Sequence, residues 1–197
     1  SSDIHHNSAP AGAGLYATQQ SGVSPVLTLP ARADIYDNQA LTGDGLGGGL
    51  YVRQGSVFLS GSSDIYSNDA INGGGAYLVT STLTLEGDAS EVGYNTSTDS
   101  GGGIYAQGST VNLDRDGEIE YNEAGTSGRG SGGGAYLDDS ELYSDRASIN
   151  NNTAYGYGGG VYAISGSLFD MDLGAYTCLG PRCSRLYNNE ATTGYGG

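Results

Sequence analysis

Five times the chain writes three glycines, an aliphatic residue and a tyrosine: Gly47-Gly48-Gly49-Leu50-Tyr51, Gly73-Gly74-Gly75-Ala76-Tyr77, Gly101-Gly102-Gly103-Ile104-Tyr105, Gly132-Gly133-Gly134-Ala135-Tyr136 and Gly158-Gly159-Gly160-Val161-Tyr162. A degenerate copy, Gly12-Ala13-Gly14-Leu15-Tyr16, precedes them. The tyrosines step by 35, 26, 28, 31 and 26 residues. A period of this size marks stacked repeats that bury a continuous core only by lying on one another.

A second motif falls between the triplets: an aliphatic residue, two variable residues, then Asn. Its copies begin at Ile4, Ile35, Ile65, Val92, Ile119, Ile149 and Leu186 and end at Asn7, Asn38, Asn68, Asn95, Asn122, Asn152 and Asn189. A third element is a short apolar–polar alternation after each tyrosine, clear in Val26-Leu27-Thr28-Leu29, Val57-Phe58-Leu59, Leu83-Thr84-Leu85 and Val111-Asn112-Leu113 and blurred near Leu142 and Leu168. Such alternation reads as a half-buried strand. No segment sustains a helical period. The expected fold is all-β: a right-handed parallel β-helix with about three short strands per coil and six to seven coils. At about 4.8 Å per coil the rod is about 30 Å tall.

Alternation assigns the faces. Ala76 and Leu78 point inward and Tyr77 outward, and the same holds in each copy, so Tyr16, Tyr51, Tyr77, Tyr105, Tyr136 and Tyr162 form an outer column. The glycines are expected at the corner before this strand, where a Cβ does not fit. The seven asparagines are expected at another corner, their amides stacked as a ladder.

The 197 residues include 36 glycines and 16 tyrosines, against two phenylalanines and no tryptophan. A net charge of −15, with arginine the only basic residue type besides histidine, is repelled by nucleic acid and by anionic membranes. No stretch reaches the ~20 apolar residues of a membrane-spanning helix, so direct membrane insertion of this segment is not expected. Residues 1–197 read as a single β-helix segment, an excerpt of a longer chain, because the repeat is cut at both ends. Cys178 and Cys183 bracket Leu179-Gly180-Pro181-Arg182, a spacing that suits a small disulfide ring and an oxidising compartment better than a metal site.

The five triplets with their following residue, together with the seven Asn motifs, resemble the repeats of polymorphic outer-membrane proteins and of the right-handed β-helix passenger domains of bacterial autotransporters. The resemblance covers nearly the whole chain. It departs from the family pattern in placing Ile, Val or Leu where Phe usually opens the Asn motif, and Tyr after the triplet. What the resemblance implies is an extracellular, surface-displayed module associated with the bacterial outer membrane, used in adhesion or coating and exported through a barrel that this segment does not contain.

The outer tyrosines offer rings that could stack on sugars, but rings one coil apart cover one another, and a self-stacked ladder is the expected state. Asp3, Asp34, Asp64, Glu91 and Glu118 precede the aliphatic residue of five consecutive Asn motifs, a column of carboxylates that calcium between coils would relieve. Asp114, Asp116 and Glu118 are the sharpest candidate calcium ligands, within a stretch that matches an EF-hand loop only loosely and lacks the flanking helices. No other cofactor is expected. Glycan-cleaving β-helices need clustered carboxylates on one face. Here the position two past each tyrosine reads Thr18, Arg53, Val79, Gln107, Asp138 and Ile164, so catalysis is not expected. His5 and His6 read as solvated corner residues.

The function expected from this reading is a non-catalytic structural or adhesive module at the cell surface, its partners other protein copies or host and cell-surface glycans. The alternatives are a filament or sheath subunit polymerising head to tail, and a polysaccharide-binding or polysaccharide-degrading β-helix.

Overall fold

The computed structural model describes residues 2–86, 89–126, 128–171 and 183–197. They form an all-β, right-handed parallel β-helix of about six turns, with no helix among the described residues. Every strand pairs in parallel with its own copy one coil away.

Three sheets are those expected from the repeats. The tyrosine strands run Leu15–Thr18, Leu50–Arg53, Ala76–Val79, Ile104–Gln107, Ala135–Asp138 and Val161–Ile164. The alternating strands run Val26–Leu29, Ser56–Ser60, Thr82–Glu86, Thr110–Asp114, Glu141–Asp145 and Leu168–Met171, so the two blurred copies are strands as well. Seven strands lead into the Asn corner, the longest copies being Asp64–Tyr66, Glu91–Gly93, Glu118–Glu120, Ser148–Asn150 and Arg185–Tyr187. A fourth sheet was not expected. Its strands are only two residues long, such as Gln39–Ala40, Asp69–Ala70 and Glu123–Ala124, and follow the asparagine directly. A coil therefore has four sides rather than three.

The interior is a set of aliphatic columns. Ile35, Ile65, Val92, Ile119 and Ile149 stack on one wall, and Val57, Leu83, Val111 and Leu142 on another, all essentially fully buried. On the tyrosine sheet the two inward positions compensate in volume. Ala76 goes with Leu78, Ile104 with Ala106, and Ala135 with Leu137, so each of these three layers holds one large and one small side chain, whereas the coil before them packs Leu50 with Val52.

Candidate functional site

The glycine triplet is a corner from which every Cβ is excluded, for a different reason at each place. The first glycine takes a left-handed conformation (Gly73, φ +65; Gly132, φ +69). A Cβ on the second, as at Gly102, would lie 2.5 Å from the Gly133 carbonyl oxygen of the next coil and 2.6 Å from that of Glu123. A Cβ on the third would press on the neighbouring coil's glycine carbonyl and on a ladder amide: 2.7 Å from Gly134 O and 2.9 Å from Asn122 Nδ2 at Gly103. The corner thus sets how closely the coils can stack against the Asn ladder.

That ladder is continuous. The Nδ2 of Asn7, Asn38, Asn68, Asn95, Asn122 and Asn152 donates to the Oδ1 of the next asparagine in line, ending at Asn189, at 2.9–3.1 Å. The same Oδ1 accepts the backbone N–H of the preceding asparagine. The second Nδ2 hydrogen goes to the aliphatic residue of the coil before, for example Asn122 to Val92 O at 2.8 Å and Asn152 to Ile119 O at 2.9 Å. Asn38, Asn68, Asn95, Asn122 and Asn152 are buried, and each spends both donor hydrogens and accepts twice. A buried amide is stable only on these terms.

The outer tyrosines also meet their own copies. Ring centroids are 4.9 Å apart for Tyr16–Tyr51, 5.8 Å for Tyr51–Tyr77, 4.7 Å for Tyr77–Tyr105 and 4.6 Å for Tyr105–Tyr136, all close to parallel. Tyr136–Tyr162 follows at 5.5 Å, tilted by 46°. Ring faces within the column are occupied by neighbouring rings, leaving mainly edges to solvent. Burial, reinforced by Tyr77, Tyr136, Asp138 and Asp99, pushes the Tyr105 phenol well above its ordinary range. Beside this column, Thr18, Arg53, Val79, Gln107, Asp138 and Ile164 stand in register, with one carboxylate among the six.

The carboxylate column has a backbone role. Asp34 Oδ1 accepts the N–H of Asp64 at 3.2 Å, Asp64 Oδ1 accepts the N–H of Glu91 at 3.0 Å, and the Ser148 hydroxyl donates to Glu118 at 3.0 Å. Asp114, Asp116 and Glu118 do not converge as the candidate calcium site requires. Arg115 and Asp116 both turn through left-handed conformations (φ +45 and +68), and Asp116 and Glu118 share a surface hollow with Arg146 and Arg185 that Asp114 does not line. Among the described residues no three His, Cys, Asp or Glu side chains form a metal-ligand group. His5 stacks on Tyr36 at 4.8 Å, and His6 lies 3.8 Å from the Asp37 carboxylate, both at the exposed edge of the first coil. The expected Cys178–Cys183 disulfide has one end, Cys178, outside the described residues.

Glu91 breaks the pattern. It stands in register between Asp64 and Glu118, and its carboxyl folds over Gly93, where a Cβ would lie 1.6 Å from Oε1. That oxygen is buried without a hydrogen-bond partner. Desolvation, with Glu120, Asp64 and Glu118 adding repulsion, lifts the carboxyl from its ordinary 4.5 to about 7. Asp64 and Glu120 are also raised, mainly by burial. Tyr66 and Glu120, paired with Gly93 from the coils below and above, complete the surroundings. The folded chain therefore holds a proton at Glu91 that the unfolded chain releases. The resulting stability is complete below about pH 4.5 and is lost as pH rises through about 7. For a carboxyl only partly shielded from water the loss is about 1–2 kcal/mol. Urea unfolding at pH 5 and pH 8 should show it, and Glu91→Gln should flatten that part of the profile; an unchanged profile in Glu91→Gln would assign the pH dependence elsewhere.

One further ladder, and two isolated serine contacts, were missed in the sequence. Ser81, Ser109, Ser140 and Ser167 stack at the turn after the tyrosine strand, each of the last three accepting the backbone N–H of the serine before it at 3.0 Å. At the turn before the Asn-motif strand, Ser63 and Ser184 accept the N–H of Ala33 and Ala147. The signal for the first was present, a serine four residues after Tyr77, Tyr105 and Tyr136, but Gly55 interrupts it. No family model, no curated protein and no solved structure matches this chain.

Proposed function

We propose that this chain is a non-catalytic structural or adhesive module displayed outside the cell on a bacterial surface, of the kind that its likeness to outer-membrane and autotransporter-passenger repeats implies. The observation that carries the reading is how the recurrent polar and aromatic side chains are used. The ladder asparagines bond to one another, the column tyrosines stack on one another, and Asp34 and Asp64 of the carboxylate column accept backbone N–H groups of the adjacent coil. The repeats thus build a self-supporting rod with a strongly acidic surface, suited to holding a position and making contacts with glycans or with other protein copies rather than to turning over a substrate. Antibodies raised against the purified chain should label intact, unpermeabilised cells that produce it. Labelling that appears only after permeabilisation would refute surface display, and cleavage of a bacterial or host polysaccharide above background by the purified chain would refute the non-catalytic part.

A further inference from the structure

The residue before each ladder asparagine is His6, Asp37, Ser67, Tyr94, Tyr121, Asn151 and Asn188, and all seven have φ between +52 and +58. Asn, Asp and His tolerate this left-handed corner; a bulky ring there is a genuine outlier. Two adjacent coils nevertheless place tyrosine at it. The substitution is a displacement of the aromatic by one residue: Tyr66-Ser67 in one coil becomes Gly93-Tyr94 in the next, which moves the ring off the sheet and onto the corner. The two corner rings stack at 4.9 Å with an 11° interplanar angle, and they are 53% and 46% exposed. In the principal tyrosine column no adjacent pair is open in this way: Tyr16 is exposed, but Tyr51 beneath it is only 9% exposed. Where a regular repeat accepts backbone strain to hold side chains at a particular place, that place is a candidate for chemistry.

The geometry points to Tyr94 and Tyr121 as a site of oxidative cross-linking, at which a dityrosine bond staples two adjacent coils. The co-substrate is a peroxide used through a one-electron oxidant such as a haem peroxidase. Each phenol gives up one electron and its hydroxyl proton. The two phenoxyl radicals couple through ring carbons ortho to oxygen, and the hydrogens on those carbons move to the oxygens to restore both phenols. One carbon–carbon bond forms, the chain loses two hydrogen atoms in total, and one hydrogen peroxide is reduced to two waters. Stacking places the two ortho edges beside each other, and exposure gives the oxidant access and the rings room to turn edge to edge. The inference concerns the coil itself and does not depend on where the protein is displayed.

The test is to treat the purified chain with a haem peroxidase and hydrogen peroxide, isolate the monomer and map its peptides by mass spectrometry. The expected product joins the peptides containing Tyr94 and Tyr121, two hydrogens lighter than their sum, with dityrosine fluorescence. Tyr94→Phe and Tyr121→Phe retain the stacked ring and should each eliminate that product while leaving the circular dichroism of the chain unchanged. Cross-links found only in dimers, or found in the monomer at the second exposed pair, Tyr157–Tyr195 (6.1 Å), with Tyr94 and Tyr121 unmodified, would overturn the assignment. So would the formation of no dityrosine. The wild-type peptide map decides the matter even if a variant fails to fold.

Discussion

Replacing Asn122 by alanine should destabilise the chain by about 3–5 kcal/mol, because the substitution orphans groups on both neighbouring coils. Asn95 loses the acceptor of its Nδ2 and of its backbone N–H, Asn152 Oδ1 loses its side-chain donor and keeps only the backbone N–H at position 122, and Val92 O loses the Asn122 amide donor. None of these groups has access to water in the folded chain. The substitution Asn112→Ala, at a half-buried position on the outward face of its strand, removes one 3.3 Å bond to Thr84 Oγ1 and should change stability by about 1 kcal/mol. Urea midpoints of the two variants measure the difference; similar midpoints would mean that the ladder is a by-product of stacking rather than a source of stability.

Gly102→Ala should be at least as damaging, at about 4 kcal/mol or more, and is expected to prevent accumulation of folded protein at 37 °C. The added methyl would meet two backbone segments of the next coil at once, the Gly133 carbonyl and the Glu123 peptide, and backbone cannot swing aside as a long side chain can. Gly166→Ala is the matched control. Gly166 also lies in a turn, with φ +80, but a Cβ there meets nothing within 4 Å, so only the left-handed backbone opposes it, at about 1–2 kcal/mol. Circular dichroism and a thermal melt of both variants would separate close approach from conformational preference. A Gly102→Ala chain melting with the wild type would show that the coils can spread to admit a methyl.

The architecture was legible because each position is written several times over and each copy packs on the others. Ile35, Ile65, Val92, Ile119 and Ile149 show what one wall of the core requires, and the seven asparagines show what one corner requires. What the sequence hid lacks repetition or length. A two-residue strand such as Glu123–Ala124 has no periodicity to detect, and the fourth side of the coil is made of these. The Glu91–Gly93 arrangement depends on one glycine making room for one carboxyl, a relation between two residues that no column displays. Asp114, Asp116 and Glu118 look like a ligand set when written in a line, but the left-handed turn at Arg115 and Asp116 divides them between a strand end and the following corner. The tyrosine pair at positions 94 and 121 was written in the Asn motif itself, immediately before Asn95 and Asn122, and is recognisable only once that corner is known to be left-handed.

The asparagine ladder also has a direction. Along the ladder every side-chain amide from Asn7 to Asn152 gives one hydrogen to the asparagine on its C-terminal side, and every one from Asn38 on accepts one from its N-terminal side, so these amide–amide bonds all point the same way. A coil laid on the C-terminal face finds donors waiting, and one laid on the N-terminal face finds acceptors. The two ends of the asparagine ladder are therefore chemically unlike, one presenting an amide that donates and the other a carbonyl that accepts.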